Sequence, residues 1–256
     1  MLLRISFGLC CTLFMTASAQ SADHVDRYEA RTFAGEGLKL PYRLLRPQNY
    51  DAKKKYPLVI FLHGAGERGD DNQKQLVHGL GDFGSDEAMK KHPAFVMAPQ
   101  CPLGQKWVDV EWSAPAHTLP EKPSPALAAT LNAAAALQSE FSIDPKRIYL
   151  TGLSMGGYGV WDALARRPEL FAAAVPICGG GDPVMAKQIM GIPIWAFHGA
   201  EDKSVPVHRS REMVEAMKAT GGQPKYTEYP NVGHNSWTQT YANRDVHDWL
   251  FEQRRQ

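Results

Sequence analysis

A serine that attacks a carbonyl needs a base within reach, an acid behind that base, and donors for the oxygen that becomes charged. The sequence offers all three, each where a strand should end. Gly152-Leu153-Ser154-Met155-Gly156-Gly157 follows the apolar run 148–151 and precedes a helical pattern. That is the strand–turn–helix setting of a G-x-S-x-G nucleophile turn. The turn is sharp enough to crowd the positions two residues before and after the serine, so Gly152 and Gly156 answer a steric demand. The plain alternative, a glycine-rich helix start with a capping serine, does not account for the buried strand in front of it.

For such a turn the expected chain order is serine, acid, histidine. His198-Gly199-Ala200-Glu201-Asp202 follows the apolar run 194–197, and Gly233-His234-Asn235 follows the short run 225–229. Asp202 is therefore the expected acid and His234 the expected base. Glu201 and Asp182 are the competing acids: the side chain of Glu201 diverges from its neighbour's, and Asp182 lies one strand earlier. Among nine histidines, His63 and His198 end strands before a glycine and read as structural. His24, His78, His92, His117, His208 and His247 read as solvated or loop residues. The oxyanion donors are expected from the N–H groups of Met155 and Ala65, with Gly66 as the alternative to Ala65. Glu67 and Arg68 are expected to form an ion pair that steadies the Ala65 loop.

The same loop spells a decoy. Gly64-Ala65-Gly66-Glu67-Arg68-Gly69 has the G-x-G-x-x-G spacing of a dinucleotide site, which needs a helix opening on the glycines and an acid ending the next strand. Here Asp70-Asp71-Asn72 continues as a polar loop, and the next strand ends in Pro99-Gln100. No His, Cys, Asp or Glu spacing matches a zinc or calcium site. Neither cofactor nor metal is expected.

The elements that must position these residues follow from periodicity. Residues 27–45 read as an antiparallel hairpin turning at Gly35-Glu36-Gly37. The continuous apolar runs 56–62, 95–98, 148–151, 171–177 and 194–197 read as parallel strands buried on both faces. Helical patterns lie between and after them: Ser124-Pro125 as cap and first position of a helix reaching Phe141, then 156–167, 207–220 and 241–253. The expected fold is α/β, with a mostly parallel central sheet, helices on both faces and an N-terminal hairpin. Only residues 179–191 separate the runs 171–177 and 194–197, too few for an inserted domain, so no separate cap domain is expected and the site should be open. Trp107, Trp112 and Trp237 are candidate substrate-lining residues, whereas Tyr158 and Trp161 read as core.

The chain has 256 residues, 44% hydrophobic and 21% charged, with a net charge of +1. Nothing there supports nucleic-acid binding or recognition by bulk charge. Residues 1–19 combine Arg4, an apolar stretch and the small-residue pattern Ala17-x-Ala19, the signature of a secretory signal peptide. Residues 20–256 then form one domain, exported to the periplasm or the outside. Cys101 and Cys178 remain in the mature chain, and whether they pair is left open.

The chain resembles the α/β-hydrolase superfamily, and is most similar to its exported carboxylesterase/phospholipase-like, polyester-depolymerase-like and prolyl-oligopeptidase-like members. The resemblance rests on His63-Gly-Ala-Gly-Glu-Arg-Gly69, Ala98-Pro-Gln-Cys-Pro102, Gly152-Leu-Ser-Met-Gly-Gly157, His198-Gly-Ala-Glu-Asp202 and Gly233-His234. It implies a Ser154–Asp202–His234 triad but does not specify a substrate. The expected substrate is a small-molecule or carbohydrate-linked ester, with no nucleic acid, no integral membrane association and no obligate protein partner. An acyltransferase or a peptidase would use the same triad; the propeller that screens substrates in prolyl oligopeptidases is not expected in a mature chain of this length.

Overall fold

The computed structural model describes residues 26–35 and 37–256. The expected signal peptide at residues 1–19 lies outside them. Strands β1 (Tyr28–Gly35) and β2 (Leu38–Leu45) form the antiparallel hairpin. Six more strands follow: β3 (Tyr56–Leu62), β4 (Phe95–Pro99), β5 (Ile143–Leu153), β6 (Ala173–Ile177), β7 (Trp195–Gly199) and β8 (Lys225–Tyr229). They join one sheet in the order β1-β2-β4-β3-β5-β6-β7-β8. The hairpin attaches antiparallel through β2 to β4, and every pair from β4 to β8 is parallel.

The apolar runs are continuous because both faces are covered. Leu58, Ile60 and Leu62 of β3 belong to one core cluster, Val59 and Phe61 to the other. On the first face lie α3 (Pro125–Glu140), α4 (Met155–Arg166), α5 (Ala186–Ile189) and α6 (His208–Ala219). On the second lie α1 (Leu80–Phe83), α2 (Asp86–Lys91), α7 (Trp237–Ala242) and α8 (Arg244–Glu252). Ser124 caps α3 as expected: its hydroxyl accepts from the Leu127 N–H, and Pro125 takes the first turn.

Two elements differ from expectation. The last helical pattern splits into α7 and α8 because Asn243 leaves helical geometry and its side chain accepts from the Asp245 N–H, starting a new helix. β5 begins at Ile143 instead of 148, because Ile143 already pairs with Tyr56 of β3, across a register shift from the regular pairing that starts at Leu58 and Ile148. Between β6 and β7 there is only a short turn and α5, with no inserted cap. Among the described residues no helix is long and apolar enough to cross a membrane. In a parallel sheet all the strand-to-helix loops leave from the carboxyl edge, which brings the loops after β3, β5, β7 and β8 together.

Candidate active site

Ser154 stands between the last residue of β5 and the first of α4, with φ 54° and ψ −118°. A non-glycine residue holds such a conformation only when its surroundings leave no alternative. The surroundings here are backbone. A Cβ on Gly156 would collide with the Leu62 carbonyl oxygen, and one on Gly152 would lie 2.7 Å from the Gly156 oxygen. The Ser154 N–H donates to the Ile177 carbonyl at 3.0 Å, tying the turn to β6.

Ser154, His234 and Asp202, separated by up to 80 positions, meet in one line. His234 Nε2 lies 2.8 Å from Ser154 Oγ, and His234 Nδ1 lies 2.7 Å from Asp202 Oδ2. The Asp202 side chain is fully buried, and its Oδ1 accepts from the N–H groups of Ser204 and Val205 at 2.8 and 2.9 Å. Burial works against its charge, but hydrogen bonds from His198, His234 and Val205 outweigh it and hold the carboxyl well below the usual range. The loops carrying acid and base meet through Gly199, where a Cβ would strike the carbonyls of Val232 and Gly233. Glu201 is exposed, and its N–H donates to the Val232 oxygen. Asp182 instead caps the turn before α5 and accepts from the Leu119 N–H.

The amides of Ala65 and Met155 open a 3-10 turn (Ala65–Glu67) and α4 respectively. First-turn amides have no acceptor within their own helix, which leaves both available to a ligand. The Ala65 loop runs close to the serine: a Cβ on Gly64 would sit 3.7 Å from Ser154 Cβ. The expected Glu67–Arg68 pair does not form. Arg68 Nε donates to the Ala65 carbonyl at 2.8 Å, and Glu67 Oε1 faces His78 at 3.7 Å, because adjacent side chains diverge. Arg68 therefore holds the loop through its backbone. The glycine spacing at 64–69 opens onto a three-residue turn, Ala65–Glu67.

The three tryptophans separate. Trp237 is half-buried and packs edge-on against His234, with ring centroids 5.2 Å apart at 90°. Trp112 is half-buried beneath Lys106 and Arg68, and its carbonyl accepts from Tyr158 Oη. Trp107 has no exposed surface and does not line the site; its indole donates to the His63 carbonyl at 2.9 Å, and the ring packs under the Ala65 loop. A buried indole needs one acceptor, and that carbonyl supplies it.

His63 is structural: its Nδ1 donates to the Gly64 carbonyl, its Nε2 accepts from the Cys101 N–H, and burial lowers it to about 4. His198 is buried too, but it lies 3.2 Å from Asp202 Oδ2 and so supports the acid directly. The sequence signal for that role was its place in the same five-residue motif as Asp202. His247 is not a loop residue; it is buried in α8, bonded to the Tyr241 carbonyl. Cys101 and Cys178 are both free and buried. The Sγ of Cys178 lies within 4.8 Å of ligand atoms of Asp202 and His234. Burial and the Asp202 charge push its thiol up, and the other two are already bonded to each other.

The molecule is similar to a thermostable esterase of known structure, with 43% identity and a TM-score of 0.84, covering 91% of this chain and 64% of that one. It is 26% identical over 212 residues to the Probable feruloyl esterase C of Aspergillus niger, covering 78% of this chain and 68% of that protein. An uncharacterized secreted protein of Arthroderma benhamiae is 25% identical over 253 residues, 82% of this chain; the chain spans a quarter of that relative's length. Residues 115–247 match the dienelactone hydrolase family, a segment that includes Ser154, Asp202 and His234. Sheet order, strained serine turn and matched segment agree, and the chain belongs to the dienelactone hydrolase family, within the α/β-hydrolase superfamily.

Proposed function

We propose that the chain is a serine esterase that hydrolyses carboxylic esters through an acyl-enzyme on Ser154. The observation that carries the reading is the unbroken hydrogen-bond line from Ser154 Oγ through His234 to the buried Asp202. Ser154 Oγ attacks the acyl carbon as His234 Nε2 takes its proton, with Asp202 orienting the ring and stabilising the imidazolium. The amides of Met155 and Ala65 hold the oxyanion of the tetrahedral intermediate. The ester C–O bond breaks and the leaving alcohol takes the proton from His234. Water then attacks the acyl-enzyme and gives a proton to His234, which returns it to Oγ as the acid departs. The likeness to a thermostable esterase supports this reaction class.

Trp237 and Trp112 border the substrate, which is a small-molecule or carbohydrate-linked ester entering an uncapped site. Residues 1–19 act as a signal peptide, so the enzyme works in the periplasm or outside the cell. A fluorophosphonate probe should label Ser154 stoichiometrically, with Ser154→Ala unlabelled and its aryl-ester turnover lowered by about 10⁴-fold or more. Full turnover by a clean Ser154→Ala preparation would overturn the reading.

A further inference from the structure

The sheet carries a second concavity at the end opposite Ser154. A cleft of about 360 Å³ is lined by the segment before β7, the turn before β8 and the outer part of α8. Its chemistry-bearing residues are Gln223, Lys225, Trp249 and Gln253, and its buried lining residues are Ile192 and Ile194. All stand at the amino ends of β7 and β8, on α8 or, for Gln253, just after it, whereas Asp202 and His234 follow the carboxyl ends of those strands. The volume falls at the low end of small-molecule sites, which begin at about 300 Å³.

The aromatic part is fixed in advance. Trp249 and Trp195 pack edge to face, 5.5 Å between centroids at 84°. Trp195 Nε1 donates to Thr227 Oγ1 at 3.0 Å. Lys225 Nζ lies 3.7 Å from the Trp195 ring centroid and 5.6 Å from that of Trp249. Gln253 Nε2 donates to the Trp249 carbonyl at 2.8 Å, and Gln223 and Lys225 are exposed. An indole that is already ordered loses little entropy when a flat, partly apolar ring stacks on it. Two carboxamides and an ammonium around it supply donors and acceptors, and no acidic side chain lines the cleft. A purely apolar ligand would strip water from those polar groups without replacing their hydrogen bonds. A simple anion would leave the indole unused.

We propose that this cleft is a second, non-catalytic binding site for a pyranose unit of a polysaccharide chain. The ring stacks on Trp249, with its hydroxyls bonded to Gln223, Lys225 and Gln253. Binding as such is independent of the esterase reading. The use we assign to it, keeping the enzyme on the polymer that bears its ester groups, rests on that reading.

The test titrates the full chain with unesterified xylohexaose and cellohexaose, following tryptophan fluorescence and calorimetry. Saturable binding of either sugar at millimolar concentration or below is expected. Gln223→Ala and Lys225→Met, both at exposed positions, should weaken it about tenfold, and Trp249→Ala should abolish it. Turnover of a soluble aryl acetate should be unchanged in the two exposed variants, while release of acetate from insoluble acetylated xylan should fall. Absence of binding by both sugars, or equal affinity in the wild type and the exposed variants, would overturn the site. Binding that tracks these variants in a protein without aryl-ester turnover would sustain the site and remove the esterase reading instead.

Discussion

The two ends of the sheet follow different rules. At the carboxyl edge, strain and buried polarity collect: Ser154 and Cys178 have φ of 54° and 40°, and Asp202 carries a wholly buried charge flanked by two imidazoles. Backbone there packs so tightly that Gly156 and Gly199 admit no Cβ. At the amino edge, carboxylates pair with cations that reach solvent: Arg147, Arg254 and Lys91 are all partly or largely exposed. Asp144 bonds Arg147 and Arg254, each at 2.9 Å, and Asp248 holds Lys91 and His92 at 2.6 Å. Gly221, also with positive φ, has open space where a Cβ would stand. Strained backbone persists only where packing over-determines it, and this molecule places that packing under its serine.

Substitutions at the two edges should therefore differ in kind. Asp202→Asn removes the buried charge but little volume. It should lower ester turnover by about 10⁴-fold at neutral pH, because the imidazole loses its orienting partner; a loss of less than tenfold would remove Asp202 from the relay. Gly156→Ala should cost about 3 kcal/mol in chemical denaturation, since its methyl meets a carbonyl that cannot retreat. Gly221→Ala, the control at the amino edge, meets nothing and pays only for its positive φ.

Acid should act through buried imidazoles. Burial lowers His63 and His247 to about 4 from an ordinary value of 6.5. The unfolded chain then binds protons that the native state refuses, so their contribution is full above about pH 6.5 and is lost as pH falls toward 4. Unfolding free energy should drop through that window by something on the order of 2 kcal/mol for His63. Asp202 stays ionised throughout, so a flat stability profile between pH 7 and 4.5 would contradict neutral buried imidazoles. Asp144→Asn, at the amino edge, should cost about 1 kcal/mol and leave ester turnover unchanged. A loss of turnover there would mean that the two edges are coupled.

Local pattern made much of this legible. The run Tyr56–Leu62 reads as a strand buried on both faces, and its side chains do alternate between two cores. Ser154, Asp202 and His234 were each legible as a residue following a strand end in the expected order, because a parallel sheet sends such loops to one edge. Other features depend on partners distant in sequence. Trp107 reads equally well as wall or core until His63, 44 positions away, supplies a carbonyl for its indole. Arg68 reads as the natural mate of Glu67 until the loop folds its guanidinium back onto Ala65. The break between α7 and α8 rests on one asparagine side chain competing for a backbone amide.

What the amino-acid order determined by itself is the alternation of buried strands and helices, the glycines that a sharp serine turn requires, and the chain order of Ser154, Asp202 and His234 behind their strand ends. These are properties of periodicity and of backbone sterics, which act over a few residues. Only the tertiary structure decided that His198 braces Asp202, that Trp107 is core, and that residues 190–194, 221–225 and 249–253 enclose a cleft. Those outcomes depend on which surfaces the sheet brings within a hydrogen bond of each other, and no local pattern encodes that distance.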